Sequence, residues 1–206
     1  MSKSSSGKKG SPKALGVALA VTAVLCLVVI LAVLLPKKGC ASRVTAKITV
    51  EGYGVITVEL DPSAAPETVQ NFVDLANSGF YNGVTFHRIM SGFMIQGGDP
   101  TGTGTGNSGK YIRGEFSANG VRNPISHVRG TISMARSPYS YDSASCQFFI
   151  VHQDSTFLDG QYAAFGHVTD GMDVVDAICA DARPTDNNGT IPPEEQPVIT
   201  SIVIVK

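Results

Sequence analysis

Cysteine is scarce in this 206-residue chain, with four in all, at Cys26, Cys40, Cys146 and Cys179. Only the last two lie beyond residue 43, and none has CxxC spacing, so neither a disulfide framework nor a zinc site is indicated. The histidines His87, His127, His152 and His167 are not close-set as ligands either. Acid is missing from the first 43 residues, which hold seven of the 16 basic residues. That leaves nine basic residues against all 17 acidic ones, a formal net of −8 for the remainder. Such a balance excludes a general electrostatic footprint for nucleic acid. Ser, His and Asp are present, but no GxSxG elbow sets up a hydrolase nucleophile. No internal repeat is found. Nothing calls for a metal or a cofactor, and none is expected.

Charge is also absent from Ala14 to Leu35, the 22-residue run ALGVALAVTAVLCLVVILAVLL. As a helix it would extend roughly 33 Å, enough to cross a hydrocarbon core, and it is too long for the apolar part of an ordinary secretory signal. Cleavage after Ala41, with small residues Gly39 and Ala41 at the key positions, is the competing reading. Residues 1–13 read as a disordered basic tail, 14–35 as a transmembrane helix and 36–43 as a spacer. Four lysines precede the run and three basic residues follow it. The positive-inside rule thus places the N-terminus in the cytoplasm by one charge and residues 44–206 outside it, in a single-pass protein.

From Val44 the pattern changes. Val44, Ala46, Ile48 and Val50 alternate as one face of a strand, and Ile56, Val58 and Leu60 follow after a turn at residues 51–54. Pro66 suits a helix start, and Val69, Phe72, Val73 and Ala76 form its stripe before Asn77-Ser78-Gly79 stops it. A second helix is expected over Met172 to Ala180. Short apolar runs at 85–89, 93–96, 131–135, 147–151, 163–168 and 198–205 read as strands. Residues 182–197 read as a long surface loop. Many short strands with two helices argue for a closed antiparallel barrel, since closure removes edge strands. Gly104, Gly106 and Gly109 match GxGxxG, but a strand-like Lys-Tyr-Ile-Arg follows instead of a helix, so the segment reads as a flexible loop.

Three stretches mix polar and apolar residues in ways that packing alone does not require. They are FHRI with GFMIQGGD (86–99), SMA with QFFI (133–150), and FLDG with FG (157–166). In that order they resemble the cyclophilins, and the resemblance covers about Val44 to Lys206. It implies a mainly β fold, an eight-stranded closed antiparallel barrel capped by two helices, that acts on X–Pro peptide bonds as a peptidyl-prolyl cis/trans isomerase and assists protein folding. It places the catalytic arginine at Arg88, with Gln96 bracing it. The substrate pocket and its rim fall at Phe93, Met94, Ala135, Arg136, Gln147, Phe149, Phe157, Leu158 and Tyr162. Arg136 stands where many relatives carry Asn, at a position that holds substrate through main-chain groups. Phe157 and Tyr162 stand where cyclosporin-sensitive members carry Trp and His. Without the indole N–H, cyclosporin binding is expected to be weak.

The chemistry is consistent with that residue set. Rotation about a peptide bond faces a barrier of about 18–20 kcal/mol set by amide resonance. A donor that stabilises a pyramidal prolyl nitrogen weakens that resonance without nucleophile, metal or redox centre, and an arginine stays protonated while doing so. Expected partners are proline-containing peptides, unfolded or exported proteins, and the membrane through residues 14–35. A proline-peptide binding module or chaperone with incidental isomerase activity is the alternative. An intact Arg88 and Gln96 favour the enzyme.

Overall fold

The computed structural model describes residues 44–205. The expected tail, membrane span and spacer lie outside the described residues. Among the described residues no helix is long and apolar enough to cross a membrane.

Eight strands form one antiparallel sheet: β1 (Val44–Val50), β2 (Gly54–Leu60), β3 (Thr85–Met90), β4 (Met94–Asp99), β5 (Thr131–Met134), β6 (Phe148–Val151), β7 (Ala163–Asp170) and β8 (Ile199–Val205). Their spatial order is β3-β4-β6-β5-β7-β2-β1-β8. In place of the expected closed barrel the sheet is a curled half-barrel whose outermost strands meet only in a short seam. Thr85 pairs with Val198 in an isolated bridge, and Phe86 N–H donates to the Pro197 carbonyl at 2.9 Å. Ile199 N–H donates to the Val84 carbonyl at 2.8 Å. The sheet therefore curls until its two outermost strands meet at one end.

Helix α1 (Pro66–Asn77) packs on β7 and β8, and α2 (Met172–Asp181) on β2. Pro66 sits in the first turn of α1, as expected, but no local side chain caps the helix. The buried Glu115 does so instead. Its carboxylate accepts from the N–H groups of Glu67 (3.1 Å) and Thr68 (2.8 Å), where the helix end is positive. Val69, Phe72 and Ala76 are buried as predicted. Inside the curl, Phe72 meets the rings of Tyr81, Phe148 and Phe165 at centroid distances of 5.3–5.5 Å. Aliphatic side chains of β1, β2 and β8 fill the other end of the core.

Period-two alternation divides β4 and β6 between two jobs. Ile95, Phe148 and Ile150 point into the main core, whereas Met94, Phe149 and Val151 join Leu158 in a second apolar cluster on the outer face. On β3 a bulge resets the alternation. Phe86 pairs with Gly97 and Arg88 with Gln96, leaving His87 without a residue opposite. Phe86 and Ile89 both bury inward while Arg88 emerges outward beside Gln96. The partner strand must be bare there: a Cβ on Gly97 would stand 2.7 Å from the Thr85 carbonyl and 2.8 Å from the Phe86 ring.

The Gly-rich segment after β4 is a loop, and the strand expected after it reduces to a single bridge between Ile112 and Ala144. Cys146 and Cys179 are unpaired and buried, and burial pushes both thiols up to about 11. Neither is a reactive thiolate at neutral pH.

Candidate active site

The outer-face cluster forms a cavity of about 120 Å³ lined by Arg88, Phe93, Met94, Gln96, Ala135, Arg136, Phe149, Leu158 and Tyr162. β3 and β4 supply Arg88, Met94 and Gln96, and β6 supplies Phe149. Phe93 comes from the β3–β4 turn, and Leu158 from the 3-10 turn Thr156–Leu158. Two of the sequence-predicted residues fall elsewhere. Gln147 lines a neighbouring cleft of about 540 Å³ together with Gly104, Gly106, Tyr111, Arg136 and Ser143. Phe157 is 66% exposed, its ring 5.6 Å from that of Phe93, so it extends the lip outward.

Arg88 is held from several sides. Its Nε–H donates to the Asn188 carbonyl at 2.7 Å, and an Nη1–H donates to Gln96 Oε1 at 3.2 Å. The sulfurs of Met90 (3.3 Å from Nη2) and Met94 (4.0 Å from Nη1), both weak acceptors, lie against the rest. Cζ stands 5.9 Å from the Phe93 ring centroid. Burial lowers the guanidinium pKa below its ordinary value, while Tyr162 and Asp186 oppose that shift. The group remains a cation across the physiological range. With two oxygen acceptors among the described residues for five N–H donors, Arg88 keeps strong donor capacity toward the cavity.

Gln96 is fixed in turn. Its Nε2 donates to Gln147 Oε1 at 3.0 Å, and Gln147 Nε2 donates to the carbonyls of Gly106 (2.9 Å) and Gly104 (3.1 Å). The glycine loop is shaped from below by Asp99, whose carboxylate accepts from the N–H groups of Thr101, Gly104 and Gly106 and from the Thr101 hydroxyl. Burial would raise the Asp99 pKa, but these donors outweigh it and hold the carboxyl below its ordinary range. A chain of directed hydrogen bonds thus runs from a buried carboxylate to the guanidinium.

Several supporting residues carried no signal in the sequence. His127 stacks on Phe149 (centroids 6.0 Å, planes 16° apart), its Nδ1 2.8 Å from Asp159 Oδ1 and its Nε2 3.0 Å from Ser133 Oγ. The contacts of a hydrolytic triad are present, but Ser133 and His127 are both fully buried, so no substrate reaches them. The trio backs the floor of the cavity. Arg136 directs its side chain sideways, with Nε–H to the Gln161 carbonyl (3.0 Å) and an Nη1–H to the Ser137 carbonyl (2.9 Å). Its Cζ lies 4.7, 5.0 and 5.4 Å from the rings of Tyr162, Tyr141 and Phe116. Most of residues 182–197 lie on the surface as expected, but Gly189, Ile191, Gln196 and Pro197 are buried, and the Asn188 carbonyl reaches Arg88, a contact no side-chain pattern announces.

Among the described residues, an apolar cup thus lies beside a fixed cation on an eight-stranded curled sheet with two helices. The family model for cyclophilin type peptidyl-prolyl cis-trans isomerases matches residues 45–204, and the chain belongs to that family. It is 46% identical to peptidyl-prolyl cis-trans isomerase B of Bacillus subtilis over 129 residues, 63% of this chain and 86% of that protein. Over 173 residues it is 42% identical to peptidyl-prolyl cis-trans isomerase A of Dickeya dadantii, covering 81% of this chain and 87% of the relative. Among solved structures, a Cryptosporidium parvum cyclophilin type isomerase crystallised in the presence of the dipeptide Ala-Pro superposes with a TM-score of 0.69. Its sequence identity is 32%, over 79% of this chain and 99% of that one. The chain is a peptidyl-prolyl cis-trans isomerase.

Proposed function

We propose that Arg88 is the catalytic group and that the cavity around it receives the proline ring of an X–Pro substrate. The observation that carries this is the placement of the Arg88 guanidinium at the wall of a cup formed by Phe93, Met94, Phe149 and Leu158. In the twisted peptide the prolyl nitrogen becomes pyramidal, and its lone pair, no longer delocalised into the carbonyl, is localised on nitrogen. An N–H of Arg88 donates to it there and not in the planar ground state, so the interaction lowers the barrier rather than only tightening binding. Each 1.4 kcal/mol gained in the twisted state is about tenfold in rate. Gln96 keeps the fork aimed at that nitrogen. Ala135 and Arg136 offer main-chain groups to the flanking peptide, Gln147 lines the adjoining cleft, and Phe157 and Tyr162 form the lip. Support for a prolyl ligand comes from the Cryptosporidium relative crystallised with Ala-Pro.

The reading extends to location and clients. The uncharged run 14–35 is long enough to span a bilayer, and the one-residue charge asymmetry around it favours an extracytoplasmic side for residues 44–206. An enzyme so tethered acts on exported chains as they fold. The absence of an indole at Phe157 favours weak cyclosporin binding.

The test uses the full chain in detergent micelles and follows cis/trans exchange of an Ala-Pro peptide by exchange NMR. Acceleration that disappears in Arg88→Ala, with peptide binding retained, supports the assignment. Undiminished exchange in that variant would sink it. Protease accessibility of residues 44–206 in intact cells checks the orientation.

A further inference from the structure

Apart from the buried Gly189 the segment Asp186–Thr190 is exposed, and none of its residues belongs to the main core, yet it is built to a narrow specification. The Asp186 carboxylate accepts from the N–H groups of Asn188 (2.9 Å) and Thr190 (3.0 Å) and from the Thr190 hydroxyl (2.8 Å). Gly189 N–H donates to the Asp186 carbonyl at 3.2 Å, and Thr185 N–H to the Thr190 carbonyl at 2.9 Å. The turn so formed is zipped to the outer side of β3: Ile89 N–H donates to the Gly189 carbonyl (2.8 Å), Ile191 N–H to the His87 carbonyl (3.0 Å), and Thr190 bridges to Arg88. Gly189 has φ +85°, and a Cβ there would meet Met90 Cγ at 2.5 Å and the Ile89 carbonyl at 2.7 Å, so only glycine permits the approach.

The outcome of this construction is one contact, the Asn188 carbonyl on Arg88 Nε–H at 2.7 Å. A guanidinium is planar, so an acceptor on Nε and another on Nη1 together fix both its plane and its rotation within that plane. Gln96 supplies the second acceptor. We propose that the Asp186–Thr190 turn is a positioning element for isomerisation, with Asp186 and Gly189 holding the Asn188 carbonyl where it sets the plane of Arg88. The proposal rests on the reading of Arg88 as the catalytic group. Among the described residues, the hydrogen bonds of the turn reach no lining residue of the cup except Arg88, so it acts on turnover rather than peptide affinity. The Asp186 charge also acts on Arg88 from this side and favours its cationic form.

The experiment compares Asp186→Ala, Gly189→Ala and Asp186→Asn in the full chain in detergent micelles. Three quantities are read: exchange rate of an Ala-Pro peptide at saturation, peptide Kd, and hydrogen exchange of the Arg88 Nε–H, assigned by its loss in Arg88→Lys. The expected result is a turnover about three- to tenfold lower in the Ala variants, as loss of one orienting hydrogen bond implies. Kd stays within about twofold and Nε–H exchange accelerates. Asp186→Asn, which keeps an oxygen acceptor for the two N–H groups, restores most of both. Wild-type turnover despite an unprotected Nε–H overturns the proposal, and so does an Nε–H that stays protected in both Ala variants. Undiminished turnover in Arg88→Ala would instead overturn the assignment of Arg88 on which the proposal rests.

Discussion

The side-chain amides of Gln96 and Gln147 meet end to end, Nε2 of the first 3.0 Å from Oε1 of the second. Because Gln96 Oε1 is committed to Arg88 and Gln147 Nε2 to the glycine-loop carbonyls, each amide has one usable orientation. Gln147→Leu breaks the relay while leaving the cup intact. Turnover of an Ala-Pro peptide is expected to fall about two- to fivefold, the effect of one lost neutral hydrogen bond. Exchange NMR measures it, and a change as large as that of Arg88→Ala would contradict the supporting role.

Arg88→Lys retains a cation but not the fork. An ammonium reaching toward Gln96 gives up the Asn188 contact and presents a point charge rather than a planar pair of donors. More than tenfold of the turnover is expected to disappear, with peptide Kd nearly unchanged. Equal turnover in the two forms would mean that charge alone suffices.

Arg136 acts through packing. Its guanidinium lies over Phe116, Tyr141 and Tyr162, each such contact contributing about 0.5–1 kcal/mol when exposed. Arg136→Ala should destabilise the protein by about 1–2 kcal/mol in urea and release Tyr162 from one side of the lip. KM should rise with kcat preserved, the opposite split from the Arg88 variants.

Two buried histidines make stability depend on pH. Burial lowers the pKa of His127 from its ordinary 6.5 against the opposing pull of Asp159. It does the same to His87, where Asp99 pulls up and Arg88 pushes down. The unfolded chain therefore binds protons that the folded one refuses. This stabilisation is complete above pH 6.5 and is lost as pH falls toward the lowered values. Carboxylates such as Asp99 and Asp159, also held low, stay ionised until more acidic conditions. The urea midpoint should thus drop between pH 7.5 and 5.5. Among the described residues, neither ring nitrogen of His87 has a hydrogen-bond partner. His87→Leu should leave stability at pH 7.5 unchanged or higher and flatten the acid slope. An unchanged slope would rule His87 out as a contributor.

Phe72 sits fully buried among the rings of Tyr81, Phe148 and Phe165. Its truncation to Ala should cost about 3–5 kcal/mol, read from the urea midpoint, and affect the site only through loss of fold.

Local patterns carried much of this protein. The alternation of Val44 to Leu60 and the stripe of α1 specify their elements because burial imposes a strict period there. The cup was legible for a different reason: the ordered motifs from Phe86 to Gly166 resemble a known family. What stayed hidden lies in contacts between segments distant in sequence. Glu115 caps α1 across 47 positions, and the Asn188 carbonyl holds Arg88 across 100. A backbone acceptor has no residue type, so composition cannot reveal it. The bulge at His87 was equally silent, since Phe-His-Arg-Ile reads as plain alternation until Gly97 is seen opposite.

The seam between Thr85 and Val198 lies three residues from Arg88, and few hydrogen bonds hold it. A join that narrow is expected to be where the molecule first comes apart under heat or denaturant. When the ends of β3 and β8 separate, Arg88 loses its bearing while the aromatic core still stands. Inactivation is therefore expected to precede global unfolding, so that activity followed against urea beside the folding signal gauges whether the seam is shut.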